Sequence, residues 1–493
     1  MNSKLSLSKS QFMRGLQCRK SLWLYKYNPE LGTPPDAMQQ AIFDMGTEVG
    51  LYARQLFPGG TAIEFEGSTF AEKVRKTQEL VQGGEHTIYE ATIAHDDIIV
   101  MVDILHKGPK GWELYEVKSS SRLKDEHAND VSIQYYVLKG SGLTVSKAAL
   151  VHMNNEYVRH GDIAIADLFA VEELTDEVQE REAFIGKELL TIRSMLQGPC
   201  PDIDIGAHCT SPYDCDFIDH CWKHIPENSV FDLRGKGIDK FEYYTRDIIR
   251  FQDLHLDTLN LKQRMQVEAE LNDTETIDQK GIADFLDTLH YPQYFLDFET
   301  FMPAIPRFEG TRPYQNIPFQ YSLHVLDHDG ADLKHHEFLA EAGTDPRERI
   351  ARDLSALIPD TACVITYNSS FEKGRIKELA EQFPRYAERL MQIHDSIVDL
   401  MVPFRQRLYY TREMKGSYSI KYVLPALVPD MSHQGLVISG GGDAMNVYST
   451  LHLIEDVNEV GRIRQDLLSY CRMDTLGMVR ILDKLREVSR NSP

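Results

Sequence analysis

The sequence predicts an α/β protein in two parts joined by a helical segment. Three observations predict it. Residues 87–105 alternate and carry many β-branched positions, and strand signals return at YFLDFET and at NIPFQYSLHVLD (316–327). Helical spacing follows in each half, over residues 130–138 and in the stretch DLLSYCRMDTLGMVRILDKL. Between them, residues 226–285 hold much charge with many Leu and Ile and no strand pattern, as in FQDLHLDTLNLKQRMQVEAEL. The expected boundaries are 1–225, a helical linker over 226–285, and 286–493. A chain of 493 residues is long enough for two or three cores of ordinary size.

Composition sets the context. Hydrophobic residues make up 42% and charged residues 26%, the balance of a soluble globular protein. No run of about 18 apolar residues occurs, so no membrane partner is expected. The opening MNSKLSLSKSQF lacks the apolar core of a signal peptide, so the cytoplasm is the expected location and the thiols are expected to be reduced. A net charge of −22 argues against indiscriminate nucleic-acid binding but leaves room for a local basic groove.

In the first part, LSKSQFMRGLQCRKSLWLY predicts a short helix capped by Ser8 or Ser10, with Cys18 near its end. A second helix is expected over residues 37–57, carrying Glu48 between Gly46 and Gly50. In IIVMVDILHKGPKGWELYEVKSS, residues 98–105 and 112–118 read as strands and HKGPKG as their turn. A turn centred between Pro109 and Lys110 sets Asp103 opposite Glu116, and Lys118 shares the face of Glu116. Two acids hold Mg²⁺ or Mn²⁺ through oxygen, and a lysine orients water and offsets transition-state charge. A solvated strand face carries the same residue types, so the trio alone is not specific. The helix around DVSIQYYVL turns Gln134 and Tyr135 or Tyr136 back toward the sheet.

Seven cysteines fall into two groups. Cys363 and Cys471 sit in apolar-rich segments and read as core residues. Cys209, Cys215 and Cys221, evenly spaced in HCTSPYDCDFIDHCW among Asp, His, Pro and Tyr, do not. Zinc or an iron–sulfur cluster needs a fourth ligand, and the candidates are His208, His220, Cys200 and Cys18. A local ligand suggests zinc; a distant one would tie two ends of a domain together.

Asp103, Glu116, Lys118 and Gln134, in that order, resemble the motifs of RecB-type PD-(D/E)XK nucleases. With one early and three late cysteines, residues 5–225 resemble the branch that includes CRISPR-associated RecB-like exonucleases and the nuclease domain of AddB. That resemblance implies a [4Fe–4S] cluster on Cys18, Cys209, Cys215 and Cys221. It also implies Mg²⁺ or Mn²⁺ at Asp103 and Glu116, with Glu90 as an upstream assisting acid and Glu48 as a weaker one. The cysteine spacing departs from the commoner pattern, which leaves Cys200 as a rival ligand.

In the second part, Asp297 and Glu299 lie two apart on a strand and point the same way. Residues 345–358 read as a helix, and ACVITYNSSFEKGRIKELAEQF as strand, turn and helix. Tyr470 and Asp474 stand at i and i+4 on one helix face. Residues 290–485 resemble the DEDD exonucleases, the DnaQ-like branch of the ribonuclease H fold, in their DEDDy form. The resemblance implies two divalent cations held by Asp297, Glu299, Glu372 and Asp474, with Tyr470 orienting the attacking water. The middle motif, Tyr367-Asn368-Ser-Ser-Phe371-Glu372, carries Glu where the family carries Asp. The carboxylate survives, displaced by roughly one C–C bond, and a site built on placement is sensitive to that. Asp395 and Asp399 are available acids nearby and read as structural or capping.

The stretch PFRQRLYYTREMKGSYSIKY interleaves Arg405, Arg407, Arg412, Lys415 and Lys421 with Phe404, Tyr409, Tyr410, Tyr418 and Tyr422. Such residues suit phosphates and stacked bases. Both halves together resemble an uncharacterised bacterial family fusing a RecB-like nuclease to a DnaQ-like domain. The expectation is a metal-dependent nuclease that degrades or trims DNA, single-stranded or at duplex ends and 3′→5′ in the second part, in repair or in defence against foreign DNA. The alternatives are a nucleic-acid-binding adaptor with one or both sites silent, or an exonuclease that processes RNA.

Overall fold

The structure is a computed structural model, which describes residues 5–64, 67–432, 437–438 and 440–490. The chain is mixed α/β and divides into two compact units: residues 1–224 with 304–314, and residues 225–303 with 315–493. The segment 226–285 is thus part of the second unit rather than a separate linker, and an excursion from the second half completes the first unit.

The first unit runs β1 (Leu7–Ser8), α1 (Lys9–Gln17), α2 (Arg19–Tyr27), α3 (Ala37–Ala53), β2 (Thr61–Ala62), α4 (Phe70–Gly83), β3 (Thr87–His95), β4 (Ile98–Lys107), β5 (Trp112–Lys118), α5 (Asp125–Gly140), β6 (Val145–Met153), α6 (Ile165–Leu168), β7 (Phe169–Glu173), α7 (Thr175–Leu196) and α8 (Ile218–Cys221). Its sheet has the order β2-β3-β4-β5-β6-β7, with β1 added beside β4. The β3–β4 hairpin turns on Asp96 and Asp97, both with positive φ, which matches the twist of a tight two-residue turn. The β4–β5 register pairs Ile104 with Tyr115 and Lys107 with Trp112, the alignment that sets Asp103 opposite Glu116. β5 and β6 are parallel and joined through α5.

Ser8 caps α1 through a reciprocal capping box with Gln11. Cys18 ends α1 and opens α2, where its sulfur accepts from the Ser21 N–H. α1 presses Phe12 into the main core beside Ile98, Val100, Val131 and Ile192. On the other sheet face, Val49, Ala53, Tyr89 and Tyr115 pack with Ala304 and Ile305 of the excursion. The excursion is stitched in by Arg159, which donates to the carbonyls of Pro306 and Arg307, and by the Tyr314 hydroxyl on the Ser119 carbonyl.

The second unit contains α9 (Lys240–Thr245), α10 (Leu261–Asn272), β8 (Thr276–Ile277), α11 (Gln279–Leu286), β9 (Gln293–Phe301), β10 (Ile317–Leu326), β11 (Lys334–Leu339), α12 (Arg347–Leu357), β12 (Cys363–Thr366), α13 (Ser370–Gln382), α14 (Pro384–Asp395), β13 (Ile397–Asp399), α15 (Val402–Arg405), β14 (Tyr409–Tyr410), α16 (Ile420–Leu427), α17 (Gly441–Thr450) and α18 (Val457–Arg490). The stretch FQDLHLDTLNLKQRMQVEAEL is not one helix. Short turns precede α10, and Asn260 caps it. The main sheet has the order β11-β10-β9-β12-β13. β9, β10 and β11 are antiparallel neighbours, whereas β12 runs parallel to both β9 and β13. α18 packs along β9 and β10. Among the described residues no helix is long and apolar enough to cross a membrane.

The packing of α1 against α7 is tight at Gly15, where an added Cβ would meet Ile192 Cδ1 at 2.8 Å and Leu22 Cδ2 at 2.9 Å. At Gly46, inside α3, an added Cβ meets nothing within 4 Å. Thermal unfolding should therefore separate two identical substitutions. Gly46→Ala should stabilise by up to about 1 kcal/mol through helix propensity. Gly15→Ala should lose that gain and lower the midpoint; equal effects would contradict this packing.

Candidate functional site

Three clusters of functional side chains stand out, two in the first unit and one in the second. The first is built on β4, β5 and α5. Alternation along β3 and β4 breaks at Glu90 and Asp103. Ile88 and Ala91, three apart, both enter the main core, as do Leu105 and Val102, whereas Tyr89 and Ile104 face the other way. Glu90 has φ +56°, and the pairs Tyr89↔Ile104 and Ala91↔Val102 flank it, so it lies opposite Asp103. Glu90, Asp103 and Glu116 thus occupy one row across three adjacent strands. The Asp103 Oδ2 accepts from the Val117 N–H at 2.6 Å. Glu116 is 1% exposed. Its Oε1 takes the Lys118 ammonium at 2.6 Å, and its Oε2 takes the Gln134 amide at 2.7 Å. The four residues predicted from sequence are therefore brought together. Tyr135 enters the core, and Tyr136 bonds Asp96 instead.

Two members escaped the sequence reading. Asp130, one turn before Gln134, binds Lys118 at 2.6 Å and the Gln134 amide at 3.0 Å. Its spacing from Gln134 along the predicted helix was the available signal. Lys9, at the start of α1, reaches Glu116 Oε1 at 2.6 Å and Asp130 Oδ1 at 3.0 Å; nothing local in the sequence announces that. Burial would lower the Lys118 pKa, but Glu116 and Asp130 outweigh it, so the ammonium is held charged. Burial and then Glu116 push Asp103 well above the usual carboxylate range. Glu90 pairs with Arg54 at 2.9 Å. Glu48 is half-buried on α3 and makes no hydrogen bond or ion pair to this cluster among the described residues.

The second cluster is a small cavity lined by Cys18, Cys209, Cys215 and Cys221 with Ser21, Ile205, His208 and Phe217. The four thiols converge from the α1–α2 junction and from the loop ending in α8. Cys200 and His220 do not line it; the Cys200 thiol turns to the Pro201 carbonyl. Burial, and then the neighbouring thiols, push Cys18 and Cys221 upward, with Ser21 and Lys20 N–H groups opposing at Cys18 and Lys20 opposing at Cys221. Gln17 sews α1 to the loop by donating to the carbonyls of His208 at 2.8 Å and Tyr213 at 2.6 Å. Arg14 adds an ion pair with Asp216 at 2.6 Å. No three of the four sulfurs lie within 4.8 Å of one another.

In the second unit, a cleft of about 360 Å³ is lined by Asp297, Glu299, Glu372, Tyr470 and Asp474, all five predicted residues, together with Asn368 and Gly441. β9 supplies the first pair, α13 supplies Glu372 and α18 the last pair. Cys471, read from sequence as core, is fully buried but also sets its sulfur 3.6 Å from Asp297 Oδ2. Ligand atoms of Asp297, Glu299 and Cys471 lie within 4.8 Å of one another. Burial is the first cause that pushes Asp297, Glu299 and Glu372 well up; repulsion adds to it, from Asp474 at Asp297, from Asp297 and then Asp474 at Glu299, and from Asp297 and then Asp399 at Glu372. Glu372 Oε2 is buried with no hydrogen-bond partner among the described residues. Burial and the neighbouring acids likewise keep the Tyr470 phenol protonated. Asp399 accepts from the N–H groups of Asn368 and Met401, both at 3.0 Å, and so shapes the Glu372 loop. Asp395 is exposed and pairs with His394.

The basic stretch divides. Arg407 is buried, gives its guanidinium to the carbonyls of Gly416 and Ser417, and stacks on Tyr410, so it belongs to the fold. Phe404, Tyr409 and Tyr410 are core residues. Arg405 pairs with Asp399 and Arg412 with Asp273 and Glu413. Lys415 and Tyr418 are exposed. Lys421 does not line the cleft, but it lies near enough to Glu299 for its charge to pull that acid down against the burial and the acids that raise it.

Residues 294–419 match a family model described as a domain of unknown function (DUF2779). The match contains Asp297, Glu299 and Glu372 and ends before Tyr470. An uncharacterised protein of Ureaplasma parvum serovar 3 (UU173) is 26% identical over 224 residues, 41% of this chain and 32% of that protein. An uncharacterised protein of Mycoplasma pneumoniae (an MG366 homolog) is 27% identical over 229 residues, 41% of this chain and 34% of its own length. The chain spans about a third of the length of these curated relatives.

The raised carboxylates carry a stability signature. Their folded forms hold protons more tightly than unfolded ones, so that contribution is complete at acid pH and is lost as pH rises through the raised values. In EDTA, Asp297→Asn should raise the unfolding temperature at pH 8 more than at pH 5, by about 2–4 °C for each kcal/mol recovered. A pH-independent effect would contradict the burial of charge in this cleft.

Proposed function

We propose that the chain is a metal-dependent nuclease with two active sites, acting on DNA. The observation that carries this reading is the convergence of separate motif residues into two buried acidic clusters. In the second unit the sheet order, with three antiparallel strands followed by two parallel ones, supports the ribonuclease H-like expectation. In the first, three antiparallel strands, a helix and a parallel strand support the PD-(D/E)XK expectation. Glu372, although longer than the family's Asp, lines the same cleft as Asp297 and Glu299, which supports it as a further acid of the site.

The donor sets fit hard divalent cations. Glu372 Oε2 and Gln134 Oε1 are buried acceptors lacking hydrogen-bond donors among the described residues, one in each cluster. Asp103 and Glu116, with Glu90 beside them, would hold the ion of the first site; Asp297, Glu299, Glu372 and Asp474 would hold those of the second. Bound Mg²⁺ or Mn²⁺ supplies an activated water and neutralises the phosphate. Lys118, kept charged by Glu116 and Asp130, is an electrostatic and water-orienting group rather than a base. Tyr470, kept protonated, donates a hydrogen bond to position the water. Lys421, near Glu299, offers a contact for a substrate phosphate.

Four thiols lining one small cavity, two of them ordered by a neighbouring N–H group and a hydroxyl, suit a [4Fe–4S] cluster. The cluster would join the start of the unit to its end, a place where Gln17 and Arg14 already bind the loop.

Labelled single strands with Mn²⁺ test the reading. Lys118→Ala should abolish one activity and Asp297→Ala the other, each by at least about 100-fold. Parent-like cleavage by both variants would defeat the proposal, and tight binding without cleavage would favour an adaptor. Anaerobically purified protein should be brown with about four irons per chain. Replacing Cys200 should leave that iron content unchanged, and replacing Cys18 should remove it.

A further inference from the structure

The first site contains a cation that its motif does not require. Lys9 comes from α1, more than a hundred residues away from the strand it meets. Its ammonium lies 2.6 Å from Glu116 Oε1 and 3.0 Å from Asp130 Oδ1. Lys118 approaches the same Glu116 oxygen at 2.6 Å, and Gln134 takes the other at 2.7 Å. Glu116 Oε1 thus carries two ammoniums while Oε2 carries one amide, so a metal that takes Oε1 must release one of the two ammoniums.

The two ammoniums differ in their origin. Lys118 stands two residues from Glu116 on β5, whereas Lys9 belongs to α1, and both also pair with Asp130. Gln134 is fully buried within α5. Both lysines reach in on flexible four-carbon stems with part-exposed side chains, 21% for Lys9 and 25% for Lys118, and Lys9 is the one that the proposed reaction does not use.

We propose that Lys9 is a resident counter-cation that a divalent metal displaces from Glu116, and that it thereby sets the metal affinity of the first site. This rests on the metal-dependent reading of that site. Before a metal arrives, Lys9 offsets the repulsion among Glu116, Asp130 and Asp103. When one binds, the ammonium swings out from Glu116 toward solvent or toward a substrate phosphate. The cost of that displacement weakens metal binding until substrate is present to receive the charge.

The test measures Mn²⁺ binding to the full chain by titration calorimetry, without nucleic acid. An Asp297→Asn, Asp474→Asn background silences the second site. Glu116→Gln should abolish the remaining binding. Lys9→Met should tighten it at least fivefold, Lys9→Gln should do the same, and Lys9→Arg, which keeps the charge, should retain the parent affinity. If Glu116→Gln abolishes binding but Lys9→Met and Lys9→Gln tighten it less than fivefold, the role of Lys9 is refuted while the metal site stands. If Lys9→Arg tightens binding as much as Lys9→Met, packing rather than charge is responsible and the proposal falls. If no Mn²⁺ binding depends on Glu116, the metal reading of the first site fails and takes the proposal with it. Circular dichroism of each variant ensures that the comparison is made between folded proteins.

Discussion

Like charges gathered in a buried place need something positive beside them, and most of the chemistry in this protein follows from that constraint. Each unit brings several carboxylates into a space where water cannot solvate them fully. The two units meet the demand differently. In the first, the ammoniums of Lys9 and Lys118 and the guanidinium of Arg54 supply the charge within the chain. In the second, Lys421 is the basic side chain of the predicted stretch whose charge acts on Glu299, and burial pushes Asp297, Glu299 and Glu372 upward, as it also pushes Asp103 in the first.

The helix α1 links two of the three clusters. Its first residue touches the carboxylates, its middle buries Phe12 in the main core, and its end delivers Cys18 to the thiol cavity. At about 1.5 Å per residue, nine residues span about 13 Å. The bonds of Gln17 and Arg14 to the thiol loop at the far end and β1 pairing with β4 at the near end hold that span at both ends. The thiol loop is therefore more than a distant staple. Tyr213, which accepts from Gln17 through its carbonyl, lies close enough to Lys118 and Asp130 to feel their charges.

The second cleft shows how one of its acids is presented. Glu372 enters from α13, whose preceding loop is shaped by Asp399 holding the N–H groups of Asn368 and Met401. Asn368 has φ +73°, a left-handed conformation that Asn tolerates better than most residues. The longer side chain is thus presented from a fixed turn. Cys471 lies beside Asp297 because α18 packs on β9 and the residue after Tyr470 faces the strand.

Local pattern determined a good deal by itself. Period-two alternation and the HKGPKG turn fixed the β4–β5 register, hence Asp103 opposite Glu116, because hairpin pairing depends on nearby residues alone. The two-residue spacing of Asp297 and Glu299 and the four-residue spacing of Tyr470 and Asp474 fixed their common faces for the same reason. Tertiary structure alone decided that Lys9 and Asp130 join Glu116, that Cys18 and not Cys200 completes the thiol set, and that Arg407 turns inward while Lys421 comes near Glu299. It also assigned residues 225–285 to the second unit and 304–314 to the first. These outcomes depend on contacts between residues far apart in the chain, and periodicity carries information only about neighbours.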